Sequence, residues 1–417
     1  MAAPIFRGIN MKLTNKKQIG ALTFLLTLVY FASYVTRINF GTIMVEFIAA
    51  ERVSKASASL ITTVAFITYG AGQLLSGVLG DKFLPTKLIL FGLLASVCCN
   101  IVLPFCSPTI LLMVVVWGIN GLAQAFMWPP IVKILSSALS DTDYGKSVAK
   151  ICYGSAAGTL ATFLLCPVII SVSNWKFVFW VSALVGVVVS FLWFVCSKTL
   201  LGSIEFVSSK KEVAHSVAID TPILRVMKAI LPIVLVSILM QGMLRDGIST
   251  WVPTYVSETF NLGSEVSILV SVVLPIFHVI CTMFTYFVYK TLKNDVFLSI
   301  ITFFGGVSLV LVLFKLFGGT NIAFAILMLA LINGFIHCVN ALQTCYIPTY
   351  YKDSGKISTY SGILNFATYV GSALSTYLFA KLSEMIGWDG TIVSWVIIGA
   401  LGTGLTVICY FATRKKM

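Results

Sequence analysis

"ILPIVLVSILMQGMLRDGISTWVPTY" fills residues 230–255, and its reading decides what kind of protein this is. It opens as an apolar run and is then interrupted by the adjacent charges Arg245 and Asp246. An apolar stretch of about 20 residues fits the hydrocarbon core of a bilayer as a helix. A guanidinium at the centre of such a helix costs about 2.5–3.5 kcal/mol on insertion scales, so it needs a partner or a watery cavity. The stretch therefore reads as a transmembrane helix with something polar on one side.

The rest of the chain repeats the apolar theme. Of its 417 residues 58% are hydrophobic and 10% charged, with a mean hydropathy of +0.99. Soluble domains carry about 25% charged residues. Twelve spans are expected, centred on 19–47, 57–80, 86–106, 108–136, 144–170, 175–196, 224–257, 263–289, 295–316, 321–348, 356–382 and 389–412. The alternation of an outer-membrane barrel is absent. The fold class is an all-α polytopic membrane protein. The basic start (Arg7, Lys12, Lys16, Lys17) leads into a segment too long for a removable signal, so no cleaved leader is expected.

A formal charge of +13 invites a nucleic-acid reading, but its distribution argues against one. Arg7, Lys12, Lys16, Lys17, Lys82, Lys87, Lys133, Lys146, Lys198, Lys210, Lys211, Arg225, Lys228, Lys290, Lys293, Lys352, Lys356, Arg414, Lys415 and Lys416 fall on one side of the expected spans; Arg52, Lys55, Lys176, Lys315 and Lys381 fall on the other. That bias predicts both termini in the cytoplasm. The ten cysteines lie within or beside apolar spans without metal-ligand spacing, and read as small packing residues. No metal and no cofactor are expected, and no nucleophile set or phosphate-cradling loop points to an enzyme.

The halves echo each other. "YGK" at 144–146 recurs as "SGK" at 354–356, "NG" at 120–121 recurs at 333–334, and Trp175 and Trp388 stand at matching helix entries. Arg37 and Arg245 are 208 residues apart, close to the same offset. The pattern predicts a duplicated six-helix unit: an N-terminal bundle over 1–197, a linker over 198–222 and a C-terminal bundle over 223–417. Parallel six-helix repeats characterise a large class of secondary transporters with a midplane site between the halves.

Three cations lie within expected spans: Arg37, Lys150 and Arg245. Adjacent helical residues diverge by about 100°, so Asp246 is expected to neutralise Arg245 poorly; a bridge from Asp246 to Arg37 or Lys150 is the structural alternative. The neighbours favour a polar cavity. Tyr30, Tyr34 and Arg37 share a face, as do Gln241 and Arg245, Lys150 and Tyr153, Asn120, Gln124 and Trp128, and Asn333, His337 and Asn340. Lys150 is near enough to a helix start to snorkel instead. His278 and His337 could carry protons or sit neutral in the interior. Two guanidiniums suit an oxyanion, and a phosphate monoester, mostly dianionic at neutral pH, suits them better than a monocarboxylate.

The stretch "SGVLGDKFLPTK" (76–87) resembles the helix 2–3 loop of the major facilitator superfamily. Its Asp81, Lys82 and Lys87 are candidates for a gating clasp. The stretches "YVTRINF" (34–40), "ITYGAGQLLSGVLGDKFLPTK" (67–87), "GLAQAFMWPPIVK" (121–133), "LRDGISTWVPTYVSETF" (244–260) and "MIGWDG" (385–390) resemble the organophosphate:phosphate antiporters of bacteria. The resemblance implies two pseudo-symmetric six-helix bundles of the major facilitator fold. It also implies phosphate binding by Arg37 and Arg245, and exchange of an organic phosphate for inorganic phosphate by a rocker-switch. Gln73 stands where some members carry a lysine, and Tyr153 where the glycerol-phosphate branch carries a histidine.

The expected substrate-binding set is Arg37, Arg245, Tyr34, Lys150, Tyr153, Gln124 and Trp128. The expected partners are a small anion and the lipid bilayer, in the inner membrane of a bacterium, with the protein a monomer. A proton-coupled symporter of a carboxylate such as a sugar acid is one alternative. A transporter-like sensor of a phosphorylated ligand, signalling to a partner kinase, is another.

Overall fold

A computed structural model describes residues 13–80, 83–201, 221–354 and 357–414. The helices are α1 (Lys16–Thr42), α2 (Met44–Glu51), α3 (Lys55–Gly80), α4 (Pro85–Val102), α5 (Ile110–Gln124), α6 (Trp128–Ala138), α7 (Asp141–Val172), α8 (Trp175–Leu201), α9 (Pro222–Phe260), α10 (Ser264–Val270), α11 (Val273–Thr291), α12 (Val296–Phe317), α13 (Ile322–Ala341) and α14 (Ile357–Arg414). Among the described residues, eleven helical segments are long and apolar enough to cross a membrane. The last is α14, whose backbone turns at Gly387 (φ 70°), so the eleven make twelve crossings. A positive φ is open to glycine without the Cβ clash that other residues meet, which is why two spans join there without a loop.

The helix limits follow local chemistry. Asn15, Ser140, Thr221, Asp295 and Asn321 each cap a helix by accepting from a backbone N–H of its first turn. Pro85 and Pro222 occupy first-turn positions, where a missing N–H costs nothing. Pro129 and Pro130 follow the break between α5 and α6, which turns one expected span into two helices. The expected linker falls mostly outside the described residues; α8 ends at Leu201 and α9 begins at Pro222.

Helices α1 to α8 pack chiefly on one another, through α1 with α7 and α8, α3 with α5, and α4 with α8; α9 to α14 do likewise. Contact between these groups runs mainly through α3 against α14 and α10 against α7, with smaller contacts of α2 with α9 and α7 with α11. The N-terminal group is stitched by a buried polar network. Ser33 Oγ donates to Gln124 Oε1 (2.6 Å), whose Nε2 donates to Thr36 Oγ1 (2.9 Å) and Ser96 Oγ (2.8 Å). Asn39 Nδ2 donates to Asn100 Oδ1 at 2.7 Å, and Asn120 Nδ2 to the Thr36 carbonyl at 3.1 Å. Interhelical hydrogen bonds hold helices together where lipid supplies no hydrophobic drive.

Glycine sets the closest approach. A Cβ at Gly242 of α9 would lie 2.1 Å from the Thr368 carbonyl oxygen of α14, and one at Gly371 of α14 would lie 2.1 Å from the Leu239 carbonyl oxygen of α9. Backbone meets backbone here, so neither side can yield. The same contact carries Tyr369 and Ser372 of α14 to the level of Arg245 and Asp246. Gly371→Leu is therefore expected to cost more than the roughly 1–3 kcal/mol of ordinary overpacking. Monodisperse protein recovered in detergent measures this, and wild-type yield and melting would contradict it.

Candidate functional site

The site sits where α3 and α14 touch across the two helix groups. Tyr69 of α3 meets Tyr369 of α14 edge to face at 4.5 Å, and Phe66 stacks on Tyr369 at 6.3 Å. On one side of this aromatic bridge stands Arg37. Its guanidinium carbon lies 4.3 Å from the ring centre of Tyr34 and 4.8 Å from that of Tyr69. Tyr34 meets Tyr30 at 5.2 Å, and Tyr30 meets Trp128 at 5.1 Å. The expected face of α1 is thus realised, and Trp128 joins it. Cation–π contact offsets part of the desolvation of a guanidinium. Among the described residues Arg37 has no carboxylate or hydrogen-bond partner, so its five N–H donors remain open.

Arg245 is held differently. Its Nε donates to Asp246 Oδ1 at 2.9 Å and its Nη2 to Asp246 Oδ2 at 2.5 Å, a two-pronged pair. Nη1 donates to Asn340 Oδ1 of α13 at 3.0 Å, and the guanidinium carbon lies 5.3 Å from the Tyr369 ring centre. Ser372 Oγ donates to Asp246 Oδ2 at 2.5 Å, fixing the carboxylate from α14. The expectation that Asp246 would neutralise Arg245 poorly is wrong. The 100° divergence describes Cβ directions, whereas the long arginine stem folds its planar end back onto the neighbouring carboxylate. The alternative bridge from Asp246 to Arg37 or Lys150 is not formed either. The two prongs and Asn340 leave one N–H on each terminal nitrogen of Arg245 for another acceptor.

The two arginines share neighbours. Tyr369, beside Arg245, touches Tyr69, which lies 4.8 Å from the Arg37 guanidinium carbon, so one aromatic pair links them. Between them the local charge is one unpaired cation plus one neutralised pair.

Three expected binding residues fall elsewhere. Gln124 is 1% exposed with its amide engaged by Ser33, Thr36 and Ser96, so it ties helices together. Its spacing with Asn120 and Trp128 marked a polar face correctly, but that face meets other helices. Lys150 is exposed and Tyr153 is 58% exposed. Neither makes a hydrogen bond, ion pair or ring contact with the arginines among the described residues. The small residues Gly154 and Gly158 beside them pack on the backbone of α1 at Thr27 and Phe31. Of the expected gating residues, Asp81 and Lys82 lie outside the described residues, and Lys87 is exposed near the start of α4.

Sequence reasoning missed Tyr69, Tyr369 and Ser372. A signal existed for the tyrosines: each follows a threonine and precedes a glycine within two residues, in "TYG" (68–70) and "TYVG" (368–371). Glycine beside a large aromatic in a span marks close helix contact.

A second polar cluster closes the end of the molecule remote from Lys16 and Arg414. Lys55 Nζ pairs with Glu258 Oε2 at 2.7 Å and lies 5.0 Å from the Trp388 ring centre, while Trp388 Nε1 donates to the same Glu258 oxygen at 2.7 Å. Glu384 Oε1 accepts from the Ala56 N–H at 3.0 Å, and Ser264 donates to Glu46. With Thr63 Oγ1 donating to the Ala373 carbonyl at 3.4 Å, these are the hydrogen bonds that join the two groups among the described residues. All sit toward the remote end. The string "WVPTY" supports them. Trp251 Nε1 donates to the Thr376 carbonyl at 3.0 Å, and Tyr255 packs edge to face on Trp388 at 5.6 Å.

Comparison with known proteins decides the family. A model described as Major Facilitator Superfamily matches residues 26–376. The chain belongs to the Major Facilitator Superfamily. As a major facilitator protein it is similar to a "Probable hexose phosphate transport protein" of Chlamydia trachomatis, 29% identical over 163 residues, which are 39% of this chain and 36% of that one. It is also similar to a "Glycerol-3-phosphate transporter" of Bacillus subtilis, 26% identical over 168 residues, 39% of this chain and 37% of that one. These matches span little more than a third of each relative. Both names agree with the resemblance to organophosphate antiporters read in the sequence. In fold, the protein is similar to the crystal structure of a bacterial homolog to the human lysosomal transporter Spinster, inward-facing and unoccupied. The TM-score is 0.74 at 12% identity, over 96% of this chain and 99% of that one. The expected fold class, two six-helix bundles of the major facilitator type, is the one found.

Proposed function

We propose that this protein moves an organic phosphate ester across a bacterial inner membrane in exchange for inorganic phosphate. The observation that carries the reading is Arg37, a guanidinium with open donors, set against Tyr69–Tyr369 with Arg245 on the far side. A phosphoryl group between the arginines would receive a fork from Arg37 and the free N–H groups of Arg245. Tyr34 and Trp128 line the approach. The names of the relatives support phosphate esters as the substrate class.

The energetics favour coupled movement. Closing an empty site around Arg37 would desolvate an unpaired cation, which is costly. A bound anion removes that penalty and lowers the barrier to reorientation. With both termini in the cytoplasm, the Lys55–Glu258–Trp388 cluster seals the outer face. Asp81, Lys82 and Lys87 would then serve the opposite, inner closure. The protein works as a monomer and catalyses no covalent step.

The cluster yields a direct test. Replacing Lys55 and Glu258 by cysteine and treating with a short bifunctional maleimide is expected to cross-link the halves and stop transport. Unimpaired transport by the cross-linked protein would show that this end does not open.

One observation favours a second reading. Asp246 neutralises Arg245, so the empty site carries less positive charge than two free arginines, which suits a carboxylate monoanion taken up with a proton. A thermal-shift screen separates the two. Inorganic phosphate, glycerol 3-phosphate and glucose 6-phosphate are expected to raise the melting temperature, and gluconate to leave it unchanged. Stabilisation by gluconate alone would sink the phosphate reading.

A further inference from the structure

His278 of α11 and His337 of α13 lie face to face, ring centres 3.6 Å apart and planes 15° from parallel. Both are partly accessible, and among the described residues neither ring has a hydrogen-bond partner. Among the described residues these are the only histidines. The stack belongs to the neighbourhood of the proposed phosphate site through α13, which carries both His337 and the Asn340 that bonds Arg245. One turn along α13 from His337 stands Asn340, whose Oδ1 accepts from Arg245 and whose Nδ2 donates to no group among the described residues. On the other side of His337, Asn333 is committed, accepting from Ser249 Oγ at 2.8 Å and donating to the Leu274 carbonyl at 3.0 Å. Among the described residues, the open polar groups around Arg245 include the two imidazoles, the Asn340 amide and the buried, unpaired amide of Gln241 one turn earlier on α9.

The geometry points to His278, His337 and the Asn340 amide as the subsite that binds the hydroxyl-bearing organic part of the substrate. This rests on the reading of Arg37 and Arg245 as the phosphoryl site and extends it to specificity. The chemistry matches. A neutral imidazole offers one N–H donor and one acceptor nitrogen, and the Asn340 amide adds N–H donors. A hydroxyl both donates and accepts, so each ring can satisfy one hydroxyl completely. Two imidazolium rings at this separation, beside a guanidinium, would repel strongly, so the stacked arrangement suits hydrogen bonding better than charge pairing. Stacking also fixes both ring planes, which gives the direction that discrimination among polyols requires. A site that hydrogen-bonds a hydroxyl rejects ligands lacking it far better than an apolar pocket does.

The test uses purified full-length protein and three probes: inorganic phosphate, glycerol 3-phosphate and glucose 6-phosphate. His278→Phe and His337→Phe keep an aromatic ring in the stack and remove the nitrogens. Each is expected to weaken binding of an ester on the order of ten- to a hundredfold, the range expected when a hydrogen bond in a closed site is lost. Binding of inorganic phosphate should stay within about twofold, since it makes no use of the subsite. His278→Asn and His337→Gln, which restore a donor and an acceptor, should recover part of the ester affinity. Equal weakening for phosphate and esters in all four variants would make the stack a packing element and overturn the assignment. Unchanged ester affinity with loss of pH-driven uptake would also overturn it, leaving the histidines as proton carriers. If the wild-type protein binds neither phosphate nor esters, the phosphoryl reading itself fails, and the subsite falls with it.

Discussion

Arg37→Lys protein is expected to fold normally and to lose transport by about ten- to a hundredfold. The charge survives the substitution, but the geometry does not. A guanidinium presents coplanar N–H groups that can fork onto two oxygens and lie flat against Tyr34 and Tyr69. An ammonium is a point charge on a flexible stem. Losing one charge-assisted hydrogen bond, at about 1.5–3 kcal/mol, corresponds to that range of rate. Arg37→Ala should abolish transport altogether, yet leave the empty protein as stable as the wild type or more so. Arg37 has no anionic partner to orphan, and an unpaired cation in a largely apolar span is a burden to folding. Inactivity with retained or raised melting temperature would separate a functional cation from a structural one. A fall of many degrees would mean that Arg37 holds the helices together.

The companion prediction concerns Asp246 and has the opposite sign. Arg245 and Asp246 have side chains 9% and 20% exposed, and they are joined by two hydrogen bonds. Breaking such a pair by removing one member leaves an uncompensated charge, at about 3–5 kcal/mol. Asp246→Asn is therefore expected to melt well below the wild type when empty. It should also respond more strongly to phosphate, because the anion then supplies the charge that the carboxylate did. A larger phosphate-induced shift from a lower starting point is the expected signature in a melting titration. An unchanged melting temperature would show that the pair is dispensable. A smaller phosphate shift would mean that Asp246 helps bind the ligand, as a proton-linked acid would. The two arginines are thus held differently: Arg37 packs on tyrosine rings, while Arg245 is paired with its neighbour.

This asymmetry could not be read from the chain. The spans could, because a bilayer imposes a length and a composition: the expected 224–257 appears as Pro222–Phe260, and 295–316 as Val296–Phe317. The face formed by Tyr30, Tyr34 and Arg37 was also legible, since helical periodicity depends on spacing alone. Spacing is silent about what lies opposite. Gln124 sits on a polar face as expected, but Ser33, Thr36 and Ser96 meet it there instead of a cavity. Asp246 was misjudged because direction at Cβ says little about where a long side chain ends. Tyr369 was missed because its importance comes from Gly242 and Gly371, which let α9 and α14 touch backbone to backbone. In the string "WVPTY", Trp251 and Tyr255 brace the end of the molecule beside Trp388.

Heterologous exchange in proteoliposomes tests the central claim most directly. Vesicles loaded with inorganic phosphate and holding the purified protein are placed in labelled glycerol 3-phosphate or glucose 6-phosphate. Uptake of at least one ester is expected, to depend on internal phosphate, to persist without a pH gradient, and to vanish with Arg37→Ala. Uptake that ignores internal phosphate and follows an imposed pH step would contradict the account.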